Sequence, residues 1–268
     1  MDSSPTSTST ATVSSAPERV PPAERIARNE RGAVVAALLL LGLFAWLWTV
    51  IVARTASSGA TGTMAMPSPA VAVTFAMWWL MMVAMMLPSA APAILLYGRV
   101  RRQRSGDGAI APTGLFLAGY LLVWAGVAVV ATSLQLMAVS VGLIEPMALR
   151  AASPALAGAV LIAAGLYQLL PLKDSCLTRC RSPAEFLSRN WRSGAAGALR
   201  LGVLHGAFCI GCCWLLMALL FVGGVMNLAW IAALSILVAA EKLIPRGPLV
   251  ARVAGIVLIL WGMVRIVA

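Results

Sequence analysis

The chain has 268 residues, of which 61% are hydrophobic and 11% charged, with a formal net charge of +11. That apolar share excludes an ordinary soluble domain and places the sequence among integral membrane proteins. The basic excess would suggest nucleic acid in a soluble chain; here it follows from how loops distribute around a bilayer, so the expected partner is lipid and no nucleic acid is expected.

Residues 1 to about 32 form a tail of Ser, Thr, Pro and Ala that gains charge from Glu18 onward. It holds too little apolar surface to bury a core and reads as a disordered cytoplasmic segment, with Arg25, Arg28 and Arg31 next to the membrane. The remainder, 33–268, reads as a single membrane domain. Its first apolar run, Ala33 to Ala53, is followed by no small-residue cleavage site, so an anchoring helix is expected rather than a signal peptide. Six more spans are expected at about 71–97, 113–139, 153–171, 203–225, 227–244 and 249–267. Pro88 and Pro92 interrupt the second, predicting a kink or an end near Pro88. The fold class is therefore all-α, a polytopic membrane helix bundle of about seven transmembrane helices.

Orientation follows from the basic residues. Seventeen of the twenty fall in the tail and in alternate connections, leaving Arg54, Arg150 and Arg265 for the other side. The positive-inside rule then sets the amino terminus in the cytoplasm and the carboxyl terminus outside.

The second span carries Met77-Trp78-Trp79-Leu80-Met81-Met82-Val83-Ala84-Met85-Met86. Met77, Met81 and Met85 step by four into one stripe, and Met82 and Met86 form another. Packing is the ordinary use of methionine. A thioether is also a soft, neutral donor suited to Cu(I), so Met81 and Met85 are candidate relay ligands. Met64 and Met66, just outside this span, offer a second thioether pair.

The longest connection, about 172–202, is expected in the cytoplasm. Within it, Cys176 and Cys180 stand four apart, with Lys173, Arg179 and Arg181 around them to favour thiolate. A structural disulfide is not expected in a reducing compartment, and two cysteines alone are a weak zinc signal. They read either as a docking or release pair for metal or as ordinary loop cysteines. Ser182-Pro183-Ala184-Glu185 has the form of a capping box and predicts an interfacial helix over about 183–193. In it Phe186, Leu187 and Trp191 would rest on the membrane while Arg189 and Arg192 face phosphates.

The fifth span holds the sole histidine and three of the five cysteines, in His205-Gly206-Ala207-Phe208-Cys209-Ile210-Gly211-Cys212-Cys213-Trp214. At 3.6 residues per turn, Cys209 lies about 40° round the helix from His205, Cys212 about 20° to the other side, and Cys213 about 80° away. Imidazole and thiols on one stripe suit soft or borderline metals, with Cu(I) favoured over Zn. Packed core residues are the alternative. Because His205 and Cys212 are about 10 Å apart along the axis, two adjacent sites are expected. His205 would lie near the cytoplasmic face, beside Cys176 and Cys180, while Met85 and Cys212 would fall near mid-bilayer. Glu241-Lys242 closes the sixth span as an interfacial acid with a snorkelling lysine, or with Glu241 orienting His205; Gln168 offers the same by hydrogen bond. No nucleotide-binding glycine loop, Ser-His-Asp set or HExxH motif occurs.

These residues carry a resemblance. Tyr167-Gln168, Pro171-Leu172-Lys173, Cys176-Leu177, Cys180-Arg181-Ser182-Pro183, Trp191, Gly194, His205-Gly206, Cys209, Gly211-Cys212-Cys213-Trp214 and Met217 resemble the bacterial predicted metal-binding integral membrane proteins. That family is a domain of unknown function sometimes labelled copper chaperone. Met81-Met82-Val83-Ala84-Met85-Met86-Leu87-Pro88 and Glu241-Lys242 are similar to its motifs, and the resemblance covers about 70–245. It implies a metal-linked role in the bacterial inner membrane and brings no established reaction.

The sequence thus predicts a protein that handles a soft metal, most simply Cu(I), at or across the membrane rather than an enzyme. His205, Cys209, Cys212 and Cys213 are the expected membrane ligands, Cys176 and Cys180 the cytoplasmic pair, and Met81 and Met85 the relay. A soluble metal carrier or another membrane subunit is the expected protein partner. Two alternatives stay open: a membrane thiol-disulfide oxidoreductase acting through Cys212-Cys213 or Cys176 and Cys180, and a structural subunit of a membrane complex. Haem ligation by His205 would leave the second axial position open.

Overall fold

The computed structural model describes residues 22–57, 67–105, 110–145 and 149–267. Met64 and Met66, and the tail up to residue 21, lie outside the described residues. The described chain is all-α apart from one small ribbon. In order it forms α1 (Pro22–Ser57), α2 (Pro67–Ser105), α3 (Ile110–Ser140), β1 (Ile144–Glu145), β2 (Arg150–Ala151), α4 (Pro154–Leu169) and α5 (Pro171–Arg181). There follow α6 (Pro183–Asn190), α7 (Gly194–Ala218), α8 (Leu220–Gly223), α9 (Leu228–Leu243) and α10 (Gly247–Val267).

Among the described residues, five helical stretches are long and apolar enough to cross a membrane: Glu30–Thr55, Val71–Arg104, Ile110–Ser140, Gly194–Gly223 and Gly247–Val267; the bent pair Pro154–Leu169 and Pro171–Arg181 would make a sixth if taken as one span. The outward faces fit that setting, since Leu39, Leu40, Leu43 and Leu47 of α1 are all exposed and would be costly to leave in water. Helices α4 and α9, expected as spans, have 16 residues each. At 1.5 Å per residue that is about 24 Å, short of a hydrocarbon core of about 30 Å.

Proline does not end the second span. Helix α2 runs through Pro88 and Pro92 to Ser105, while the carbonyl of Met86 accepts from Ser89 Oγ at 2.9 Å and from Tyr120 OH at 3.4 Å. Side chains thus serve backbone near the prolines, as they can within a packed bundle. Trp78 Nε1 donates to Gln135 Oε1 at 2.7 Å, fixing α2 to α3 in the interior.

Helices α3 and α7 cross at near backbone contact. A side chain at Gly202 would strike the carbonyl of Phe116, and one at Gly119 the carbonyl of Leu199. Small residues at crossings are what permit such approach between membrane helices. The same device joins α4 to α10: a Cβ at Gly158 would lie 2.7 Å from Gly262 O, and one at Gly165 2.6 Å from Gly255 O.

The basic ends gather on one side. Arg102 at the end of α2 pairs with Glu30 near the start of α1 at 2.5 Å, and the Arg104 guanidinium lies 4.9 Å over Trp191 after α6. Arg181 of α5 donates to the backbone of Glu241 and Pro245 at the end of α9, and Asp174 of α5 faces Arg252 of α10 at 3.6 Å.

The expected cytoplasmic connection is two helices. Helix α6 starts at Pro183 behind Ser182, as the capping pattern requires, yet the Ser182 side chain makes no capping bond. Glu185 pairs instead with Arg189 at 2.8 Å. Phe186 and Leu187 are buried against the bundle rather than laid on lipid. Helix α5 breaks from α4 at Leu170 with a bend of 66°, enforced by Pro171, which disfavours helical geometry in the residue before it. It turns inward against α7 and α9, and that turn builds the site.

Candidate metal centre

Helix α7 buries one face, and that face carries His205, Cys209, Cys212 and Cys213. The stripe expected from helical periodicity is therefore real, and each of the four is at most 3% exposed. Two thiols are turned back onto their own helix: Cys212 Sγ lies 3.1 Å and Cys213 Sγ 2.9 Å from the carbonyl of Cys209. That back-bonding is available to a short polar side chain three or four residues on.

Helix α5 brings the other two cysteines to the same place. Cys176 lies over Gly211, where an added Cβ would meet its sulfur at 2.7 Å, and Cys180, one turn further along α5, lies near Cys212. The glycine is the clearance that admits α5. Tyr167 OH closes the same contact by donating to the carbonyl of Gly211. Cys176 and Cys180 thus meet α7 near Gly211 and Cys212, further along the helix than the His205 end where the sequence suggested them.

A buried ion pair anchors α5. Lys173 Nζ reaches Glu241 Oε2 at 2.7 Å, with side chains 0% and 2% exposed, and Gln168 Nε2 donates to Glu241 Oε1 at 2.7 Å. Glu241 is therefore neither interfacial nor aimed at His205. Its neighbour Lys242 does not snorkel. It is buried, with Nζ 2.9 Å from Cys209 Sγ, 3.3 Å from Ser89 Oγ and 3.9 Å from Met86 Sδ. Adjacent residues on a helix point about 100° apart, so Glu241 and Lys242 serve different neighbours.

The methionine that meets the thiols is Met86, whose sulfur lies 3.8 Å from Cys213 Sγ. It belongs to the second methionine stripe. Met81 and Met85 are buried in the hydrophobic core beside it. Tyr120 of α3 completes the surround, with its hydroxyl 3.3 Å from Cys209 Sγ.

His205 sits in an aromatic enclosure, with ring centroids of Phe186 at 5.4 Å, Tyr120 at 5.8 Å and Phe116 at 6.0 Å. Its Nδ1 is buried without a hydrogen-bond partner. Buried polar atoms are satisfied as a rule, so an imidazole nitrogen without a partner marks a place where a ligand could supply one.

A family model described as PpoB2, copper chaperone, matches residues 75–265. The chain belongs to the PpoB2 copper chaperone family. No curated protein and no solved structure matches it. The matched segment contains all five cysteines, His205 and the methionines of α2, so the copper-linked residues and the family region coincide.

The donor set fits the family's metal. Five thiols and a thioether are soft donors of the kind that favour Cu(I). As they stand, no three histidine, cysteine or carboxylate side chains among the described residues are arranged to hold one ion. The reason is local: Cys212 and Cys213 face the Cys209 carbonyl, and the Lys242 amine occupies a flank of Cys209.

Ser89 and Tyr120 carry no signal in the sequence, while Lys242 and Met86 take contacts here other than the snorkelling and packing expected of them. Adjacent residues on a helix point about 100° apart, so the Glu241-Lys242 pair already implied two different neighbours.

Proposed function

We propose that this protein carries Cu(I) to or across the bacterial inner membrane, with the metal as cargo rather than as a resident cofactor. Cys209, Cys212 and Cys213 receive the ion, and His205 lends its free nitrogen from one turn away. Cys176 and Cys180 exchange the ion with a soluble carrier or a second membrane subunit, while Met81 and Met85 lie along the path. The bundle crosses seven times, the 16-residue α4 and α9 spanning by local thinning of the bilayer beside the five long apolar helices. The amino terminus is cytoplasmic and the carboxyl terminus outside, because the basic helix ends converge on one side.

The observation that carries this reading is the convergence of thiols from two separate helices, with a methionine sulfur, inside a copper chaperone family region. Cysteines placed only for packing need not meet.

The test is Cu(I) affinity, measured by chelator competition in detergent. The proteins are wild type, His205→Ala, Cys209→Ser and the double variant. Each single change should weaken binding by about tenfold or more, and the double should cost scarcely more than either, as coupled residues do. Simple addition of the two losses, or no loss in either single variant, would refute the pair as a site. Loss-free copper binding with a redox-dependent mobility shift would point to the oxidoreductase instead.

A further inference from the structure

Met86 and Cys213 form one level of a ladder between α2 and α7, with their sulfurs 3.8 Å apart. Eight residues back along α2 and eight forward from Cys213, the rings of Trp78 and Phe221 pack with centroids 5.4 Å apart. Phe221 belongs to α8, which continues the apolar stretch of α7. These two contacts make the facing elements antiparallel, and each step of four residues climbs one turn on the same face. The level between them is therefore Met82 and Met217.

Both methionines are buried, and both line a cavity of about 520 Å³ whose walls include Trp78, Trp124, Trp214 and Phe221. The cavity has a local cause. Helices α3 and α7 touch at Gly119 and Gly202 and then part, so that a Cβ at Gly126, on the cavity wall, would meet nothing within 4 Å. The Trp78 indole is fixed in place by its bond to Gln135. Methionine that serves only as packing fills gaps; these two border a gap that they leave open.

We propose that Met82 and Met217 form a second, weaker Cu(I) site one helical turn beyond the thiol centre, on the side away from the basic helix ends; this rests on the copper reading above. Two thioethers are soft donors that suit Cu(I) and are poor ligands for harder divalent ions. They bring no negative charge, so the bound ion keeps its own. The indole faces around it attract a cation through their ring electrons. Neutral donors hold the ion less firmly than thiols do, which suits a position that the ion must leave again.

The test is titration of full-length protein with Cu(I) in detergent under reducing conditions, against chelators of graded strength. Wild type should take a tight ion and then a weaker one, and the weaker event should quench tryptophan emission, since indoles wall the cavity. Met82→Leu with Met217→Leu nearly conserves volume. That variant should keep its melting temperature and the tight event, and lose the weaker event together with its quenching. A weaker event and quenching that persist in the variant, or wild type that takes only the tight ion, overturns the site and leaves the thiol centre standing. Wild type that binds no Cu(I) refutes the copper reading itself, and the second site with it. Should the double variant fail to fold, wild type with isotope-labelled methionine methyl groups decides by NMR. Ag(I), a soft monovalent ion, added beyond the first equivalent should shift the Met82 and Met217 signals, assigned from the single leucine variants. Unshifted signals overturn the site.

Discussion

Breaking the Lys173–Glu241 pair should destabilise the protein far more than removing it. Lys173 Nζ and Glu241 Oε2 are 2.7 Å apart with side chains 0% and 2% exposed, so neither charge has water to fall back on. Lys173→Met alone leaves a buried carboxylate, and Glu241→Gln alone leaves a buried ammonium. Each should cost about 3–5 kcal/mol. The double variant carries neither charge, and glutamine keeps an acceptor for Gln168 Nε2, which now donates to Glu241 Oε1 at 2.7 Å. It should lie within about 1–2 kcal/mol of wild type, since replacing a whole buried pair is often near neutral. The Arg181 bonds to the backbone of Glu241 and Pro245 do not depend on either side chain and should hold α5 against α9 throughout. Denaturant unfolding in detergent, followed by tryptophan fluorescence, gives the four values for a double-mutant cycle. Additive losses in the double variant, or single losses below about 0.5 kcal/mol, would refute the claim that the pair is dry and coupled.

Four other outcomes are expected. Met86→Leu should weaken Cu(I) binding with little change in melting temperature, because leucine nearly conserves volume. Met81→Leu with Met85→Leu tests the relay in the same titration, and copper affinity and tolerance equal to wild type would return that stripe to packing. Gly211→Ala places a methyl 2.7 Å from the Cys176 sulfur; the thiol can swing aside, so stability should change by only about 1 kcal/mol. Copper affinity should fall and Cys176 should react faster with maleimide; unchanged reactivity would show that Cys176 does not rest on this glycine. Reporter fusions at Gly194 and at the carboxyl terminus should report cytoplasm and outside respectively, and a periplasmic signal at Gly194 would overturn the seven-span order.

What the sequence makes legible here is what local pattern controls. The stripe of His205, Cys209, Cys212 and Cys213 follows from residues per turn, and its buried face is the one that periodicity selects. The helical cores of the apolar runs are found, though their ends move: α1 begins at Pro22 and α7 at Gly194, both earlier than hydropathy alone suggests. In both cases charged or small residues continue a helix that apolar content does not mark. Helix α5 was not legible. Lys173, Asp174, Arg179 and Arg181 make its eleven residues look like solvated loop, and the partner that lets it turn inward, Glu241, lies 68 residues away. A long-range ion pair leaves no periodic trace. Met86 illustrates the same limit, for periodicity separates the two methionine stripes without saying which one α7 will meet.

The position of α5 also explains why Glu241 and Lys242 stand side by side. Helix α9 is narrow enough that two successive residues reach different neighbours about 100° apart. Glu241 takes Lys173 and so seats α5, with Cys176 and Cys180, against α7. Lys242 takes Cys209, the thiol of α7 that also touches Tyr120. One turn of α9 therefore fixes both halves of the thiol centre, the α5 half through a carboxylate and the α7 half through an amine. Exchanging the two residues would set a carboxylate against Cys209 and an ammonium against Lys173. Two ammonium groups would then repel at the α5 contact, and Cys209 and Ser89 would lose their amine neighbour. The order of Glu241 and Lys242 is thus dictated by what each must face, and neither residue can be understood from hydropathy or from the other alone.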